Sequence, residues 1–229
     1  MFYRLQGKDN EMVKIIAHRG FWLTPDEKNT ETAFKRALEL GFGIETDVRD
    51  FCGNLVISHD ICKESCKSLS SFLNNYKNNC NNDAEFPYLA LNIKADGLQI
   101  SLKEEIIKHD IHNYFVFDMS IPDTLAYLEL NTPVFTRRSE YENHTELARH
   151  RHTAGIWLDQ FKSDWYTRES VMKILECNLK ICVVSPELHN RDYRYCWSLI
   201  KSISEQSPDH TLMLCTDFPN KAKEFFNNE

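Results

Sequence analysis

The chain has 229 residues, 42% of them hydrophobic and 27% charged, which excludes disorder as the default and supplies enough apolar material for a single domain spanning 1–229. A formal net charge of −7 argues against nucleic acid and against an anionic membrane surface, because those partners select clustered Lys and Arg. A small anionic substrate stays compatible with the charge, since a few local cations can hold it inside an acidic protein.

The opening stretch MFYRLQGKDNEMVKIIAHRG lacks the continuous apolar run of a signal peptide, and no later run approaches the ~18 apolar residues of a spanning helix. The expectation is a cytoplasmic protein without membrane insertion. Cys177, Cys182, Cys196 and Cys215 sit in apolar segments, where a reduced Cys packs as a small hydrophobe. Cys62 and Cys66 form a close CxxxC pair. Without a second pair or a nearby His they read as plain thiols rather than a zinc site.

In chain order, a β-branched run at 13–17 predicts the first strand. A helix follows at 30–40, where Thr30 precedes an apolar stripe of Ala33, Phe34, Ala37 and Leu38 on one face. The second strand lies at 43–48, with a short extra strand at 55–58 beside it. Residues 67–85, rich in Ser, Asn and Lys, depart from globular composition and read as a mobile excursion, either a lid or a solvated loop. Further strands at 88–93, 114–117, 133–136, 155–158, 180–184 and 211–216 alternate with helices at 97–108, 122–130, 168–177, 193–204 and 220–226. Eight principal strands alternating with helices predict an α/β chain folded as a single (β/α)8 barrel.

Polar residues fall at strand ends in a way that packing does not explain. The first strand runs into His18-Arg19-Gly20, the second carries Glu45 and Asp47, and the short strand runs into His59-Asp60. Strand alternation puts Glu45 and Asp47 on one face, where two carboxylates repel unless a cation lies between them. A hard divalent cation such as Mg²⁺ or Ca²⁺ suits that demand and leaves positions for phosphate oxygens. A structural ion pair with Arg19 or Arg49 is the competing reading. Two histidines at strand ends supply the acid and the base that phosphodiester cleavage needs, and Arg19 offers a fork of donors to phosphate.

These residues resemble the glycerophosphodiester phosphodiesterase family. The resemblance is carried by His18-Arg19-Gly20, by Asn29-Thr30 with Ala33-Phe34 and Ala37, and by Gly43-Ile44-Glu45-Thr46-Asp47-Val48. Gly53, Val56, His59-Asp60 and Thr216-Asp217-Phe218-Pro219 extend it. It is dense over 13–60, thin across the middle and clear again at 216–219. It implies a barrel of the phospholipase-C-like phosphodiesterase type acting on a small phosphodiester. It also implies a divalent ion, Mg²⁺ or Ca²⁺ with Mn²⁺ as a further candidate, held by Glu45 and Asp47. His18 and His59 become the acid–base pair, and Arg19 and Lys94 become phosphate ligands.

Two departures alter this picture. Lys28 stands where the family usually has Glu before Asn-Thr, and Asn92 stands where it usually has a third metal-binding carboxylate. Lys28 then becomes a cation for an anionic group of the substrate, and Asn92 a weaker metal ligand through its amide oxygen. Asp118 and Asp159, which close the fourth and sixth strands, are each a candidate for the missing carboxylate or a helix cap. Glu187, Arg137 and Arg138 also lie at the correct end. His144, His150 and His152 read as a solvated face of a charged helical stretch. Within the enzyme class, the rival is a lyase or transferase that forms a cyclic phosphate; outside it, a phosphate-binding module that has lost turnover.

Overall fold

The computed structural model describes residues 13–80, 86–143, 145–208 and 210–227. Strand β1 (Lys14–His18) leads into α1 (Glu31–Glu39), where the Thr30 side chain caps the helix by accepting from the Ala33 N–H. The predicted stripe of Ala33, Phe34, Ala37 and Leu38 is the buried face of α1. Strand β2 (Gly43–Phe51) turns back through β3 (Asn54–Ile57) and the short β4 (Lys67–Ser68) into α2 (Leu69–Asn79). Then β5 (Leu89–Ile93), α3 (Gln99–Lys108), β6 (Tyr114–Phe117), α4 (Ile121–Glu129), β7 (Val134–Arg138) and α5 (Thr145–Ala148) alternate. The order ends with β8 (Thr153–Leu158), α6 (Arg168–Leu175), β9 (Lys180–Val184), α7 (Arg194–Ser204), β10 (Leu212–Thr216) and α8 (Pro219–Asn227).

Strands β1, β2 and β5 to β10 pair in parallel, and β1 pairs with both β10 and β2, so the sheet closes on itself. This is the (β/α)8 barrel that the alternation predicts. Strands β3 and β4 lie outside it as an antiparallel extension of β2.

Strand alternation sorts the side chains into two apolar layers. Ile44, Val48, Leu91, Val183 and Leu214 face outward into the layer beneath the helices. Ile16, Ala90, Cys182, Met213 and Cys215 face inward with an aromatic group. In that group Phe115 stacks on Phe135 and Phe117 on Trp157, each pair with ring centroids 3.8 Å apart. The interior is therefore packed solid, as barrels of this class require, and polar residues collect at the C-terminal rim of the strands.

Three expectations are corrected. Residues 67–85 do not form a loose excursion, because 69–79 are helical, with Ser68 as N-cap accepting from the Ser71 N–H. Leu69, Phe72, Leu73 and Tyr76 fall at helical spacing and are buried, and Phe72 meets Phe34 of α1 at 4.7 Å. Residues 81–85 lie outside the described residues. Cys62 and Cys66 are joined as a disulfide rather than left as thiols, since their Cα atoms stand 6.2 Å apart, inside the reach of such a bond. The helical stretch around the histidines shortens to α5; His150 and His152 follow it, with the His150 Nδ1 accepting from the His152 N–H. His144 lies outside the described residues.

Candidate active site

The turn from β1 to α1 builds the first wall. Arg19 adopts a left-handed conformation (φ 57°), and Gly20 follows at φ 82°. A Cβ on Gly20 would come within 2.9 Å of both the carbonyl carbon and the Cβ of Ala33, so only glycine lets the turn lie against α1. A backbone held this way just after a barrel strand is a common companion of function.

His18 closes β1 and is largely buried. Its Nδ1 lies 2.7 Å from the Asp217 carboxylate, and its Nε2 lies 3.9 Å from Glu45. Asp217 follows β10, so barrel closure makes this pair. Burial works to raise the Asp217 carboxyl, but the His18 hydrogen bond and the charges of His18 and Lys28 outweigh it and hold it below its ordinary value.

Glu45 and Asp47 point into the barrel as alternation predicts, and both are buried. The register pairs His18 with Glu45 and, two residues further along β2, Asp47 with Asn92, which sets these four side chains on adjacent strands at the rim. The Arg19 N–H donates to the Glu45 carboxylate at 3.1 Å. Burial first, and then the charge of Asp47, push the Glu45 carboxyl up to about 7, against the opposing pull of His18, Arg19 and Lys94.

Asp47 is surrounded by donors. The Asn29 amide donates to it at 2.8 Å, the Arg19 guanidinium lies at 3.1 Å and the Lys94 ammonium at 3.5 Å. Asn29 in turn accepts from the Thr46 hydroxyl. The ion-pair reading of this carboxylate is therefore realised through Arg19 and Lys94. Arg49 instead donates to the His59 carbonyl. Lys94 also approaches Asp118 at 3.4 Å, and Arg137 meets Asp118 at 2.6 Å, so alternating charges run along the rim from β2 to β7.

Lys28 is at the mouth rather than in open solvent. Its ammonium lies 4.4 Å from the centre of the Trp22 ring, and the Trp22 indole donates to the His18 carbonyl. His59 follows β3, which runs antiparallel to the barrel strands, and returns to the rim beside the Asp47 backbone. Its ring is half-exposed and pairs with the exposed Asp60 at 2.8 Å.

Among the described residues, no group of three or more His, Cys, Asp or Glu side chains is arranged to hold a metal ion. The candidate donor set is instead two carboxylates and one amide. The Oδ1 atoms of Asp47 and Asn92 are buried and accept no hydrogen bond. The unpartnered Asn92 oxygen, beside two buried carboxylates of which Asp47 Oδ1 has only the Lys94 ammonium at 3.5 Å, fits a hard cation.

Sequence reasoning assigned no role to Asp217, Asn29 or Trp22, although the first two stand inside motifs it singled out. It named Asp159 and Glu187 on the opposite rim but not their partners. Asp159, after β8, takes the His189 Nε2 at 2.7 Å, and Glu187 is buried where it accepts from Ser185, Thr216 and the Asp217 N–H. Burial raises the Glu187 carboxyl despite those donors. Trp157 belongs to the interior, while Trp165 donates to the Asp159 carbonyl and Tyr166 accepts from Gln160.

No family model matches the chain, and no curated protein matches it. Solved structures do. A phosphodiesterase from Oleispira antarctica, in complex with the product sn-glycerol-3-phosphate, superposes with TM-score 0.68 at 16% identity, over 94% of this chain and 97% of that one. A glycerophosphodiester phosphodiesterase from Agrobacterium tumefaciens gives 0.59 at 14% identity, over 91% and 97%. A Ca²⁺-dependent phosphatidylinositol-specific phospholipase C from Streptomyces antibioticus gives 0.54 at 9% identity, over 94% and 96%. At these identities the likeness establishes the barrel fold.

Proposed function

We propose that the protein hydrolyses a small phosphodiester to a phosphomonoester and an alcohol at the C-terminal rim of the barrel. The observation that supports this reading most is the cluster of His18, Glu45, Asp47 and Asn92, with His18 held by Asp217 and Asp47 flanked by Arg19 and Lys94. The solved neighbours that share the fold include phosphodiesterases, one with a phosphomonoester product bound.

In this reading Glu45, Asp47 and Asn92 hold Mg²⁺, Ca²⁺ or Mn²⁺. The bound ion would offset phosphate charge and the Glu45–Asp47 repulsion. Arg19 and Lys94 gather the phosphate oxygens, and Lys28 faces the remainder of the substrate. His18 moves the proton of the attacking water, its imidazole oriented by Asp217. The leaving alcohol takes a proton from an imidazole on the rim, for which His59 is the candidate that the sequence resemblance supplies.

The test is a panel of glycerophosphodiesters and bis(4-nitrophenyl) phosphate with Mg²⁺, Mn²⁺ and Ca²⁺. Metal-dependent release of a monoester is expected. Binding without turnover in every combination would make the site a phosphate-binding module instead.

A further inference from the structure

We infer that the cleft where β6 and β7 end is a subsite for an uncharged, hydroxyl-rich alcohol of sugar size, and that the Thr136 hydroxyl reads it. This rests on the proposed phosphodiester hydrolysis and names the class of alcohol on one side of the phosphate.

The cleft lies between the ends of β6 and β7 and the helices α4 and α5, with a volume of about 320 Å³. That is near the lower end of the roughly 300–1,000 Å³ usual for ligand sites. Asp118 is the wall that it shares with the active site. One Asp118 carboxylate oxygen lies 3.4 Å from the Lys94 ammonium, which is itself 3.5 Å from Asp47, and the other lies 2.6 Å from the Arg137 guanidinium. Asp118 holds this place with a left-handed backbone (φ 76°), a conformation that costs energy at a residue other than glycine. Around the barrel, in the order β10, β1, β2, β5, β6, β7, the groups beside Lys28 lie on one side of Glu45 and Asp47 and the cleft lies on the other. Phosphate held at Lys94, after β5, is one strand spacing of about 5 Å from β6. The alcohol that points away from Lys28 therefore enters the cleft.

The charges of the lining cancel. Arg137 pairs with Asp118 and donates to Glu142, and Lys94 balances the second carboxylate. No net charge is left to select a charged group, while spare carboxylate lone pairs can accept from hydroxyls. Three side-chain hydroxyls line the cleft. Ser120 donates to Asp96, and Thr124 donates to the Ser120 carbonyl. Thr136 is only 4% exposed, and among the described residues its hydroxyl has no hydrogen-bond partner. Val134 faces the helices and Phe135 the interior, so strand alternation turns Thr136 to the helix side, where the cleft lies. A buried hydroxyl left unpaired destabilises the free protein, and a hydroxyl of the substrate satisfies it.

Phosphomonoesters test this without turnover. Titration calorimetry with Mg²⁺ present compares glucose 1-phosphate, hexyl phosphate, which has the same carbon number and no free sugar hydroxyls, and inorganic phosphate. Wild type is expected to bind glucose 1-phosphate about tenfold or more tighter than hexyl phosphate. Thr136→Val keeps the shape and removes the hydroxyl, so it should cut that preference about fivefold and raise the thermal midpoint of the free protein. Thr136→Ser keeps the hydroxyl and should keep the preference; a loss shared by both variants would assign the effect to packing and overturn the proposal. Equal binding of the two esters by wild type, or an unchanged preference in Thr136→Val, would overturn it too. Inorganic phosphate separates these failures from that of the hydrolytic reading: a wild type that binds phosphate without preference loses the cleft alone, and one that binds none of the three loses the phosphate site as well.

Discussion

His18 and Asp217, 199 positions apart in the chain, are joined by a 2.7 Å contact that exists only because β10 closes the barrel onto β1. The pair ties the fold directly to the chemistry. Replacing Asp217 by Asn keeps the shape and removes the charged partner that orients the imidazole. Steady-state kinetics should show kcat falling on the order of 10²-fold, with KM little changed. The sign for stability also follows. A carboxyl held low in the folded state stabilises fully above its unfolded value near about 4 and loses that contribution as pH falls through the folded value. Wild type should therefore lose more stability on acidification than Asp217→Asn, as urea unfolding at several pH values would show.

Glu45 behaves in the opposite sense. Its carboxyl is pushed up to about 7 by burial and by Asp47, so the unfolded chain ionises first as pH rises. Metal-free protein should lose stability between about pH 4.5 and 7 and change little from this group above that. The shift from 4.5 to about 7 corresponds to an upper figure of about 3 kcal/mol. Glu45→Gln should flatten the slope of unfolding free energy against pH across that window. An unchanged slope would mean that the carboxylate pair is already compensated by Arg19 and Lys94.

The buried, unpartnered Asn92 oxygen gives a direct prediction about the metal. Asn92→Asp keeps the shape and adds an anionic donor, so calorimetric affinity for Ca²⁺ or Mg²⁺ should rise by about tenfold or more. Asp47→Asn should lower it. Identical affinities in all three proteins would place any bound cation elsewhere.

Lys28 stands over Trp22 and bears on Asp217, so the mouth offers a cation where the resembled family offers a carboxylate. The substrate should carry an anionic or neutral head rather than a choline. Lys28→Glu should raise kcat/KM for choline diesters relative to anionic ones, by roughly tenfold. A constant ratio would show that Lys28 does not read the head group.

Much of this was legible in the chain because its signals are local. Apolar β-branched runs marked the eight barrel strands, and polar residues breaking the pattern near their ends marked His18, Glu45 and Asp47, while Lys94 came only from the family resemblance. Helix α2 was hidden by its Asn-rich and Ser-rich surface, residues of modest helix propensity, although Ser68 and the stripe of Leu69, Phe72, Leu73 and Tyr76 carried the information. His189 could not be read at all. Its partner Asp159 is 30 residues away, and only the pairing of β8 with β9 brings the two together. Direction along the barrel axis is likewise not written in a short strand: β3 runs against its neighbours and leaves His59 on the rim.

The most direct test of the central claim is phosphorus NMR of glycerophosphoglycerol incubated with wild-type protein and with His18→Ala at saturating Mg²⁺ or Ca²⁺. The account predicts direct appearance of glycerol phosphate with wild type and a rate lower by ~10²-fold or more in the variant, with its fold intact by circular dichroism. A cyclic phosphate as the stable product would point to a lyase or transferase. Equal rates in the two proteins would contradict the assignment of the chemistry to this site.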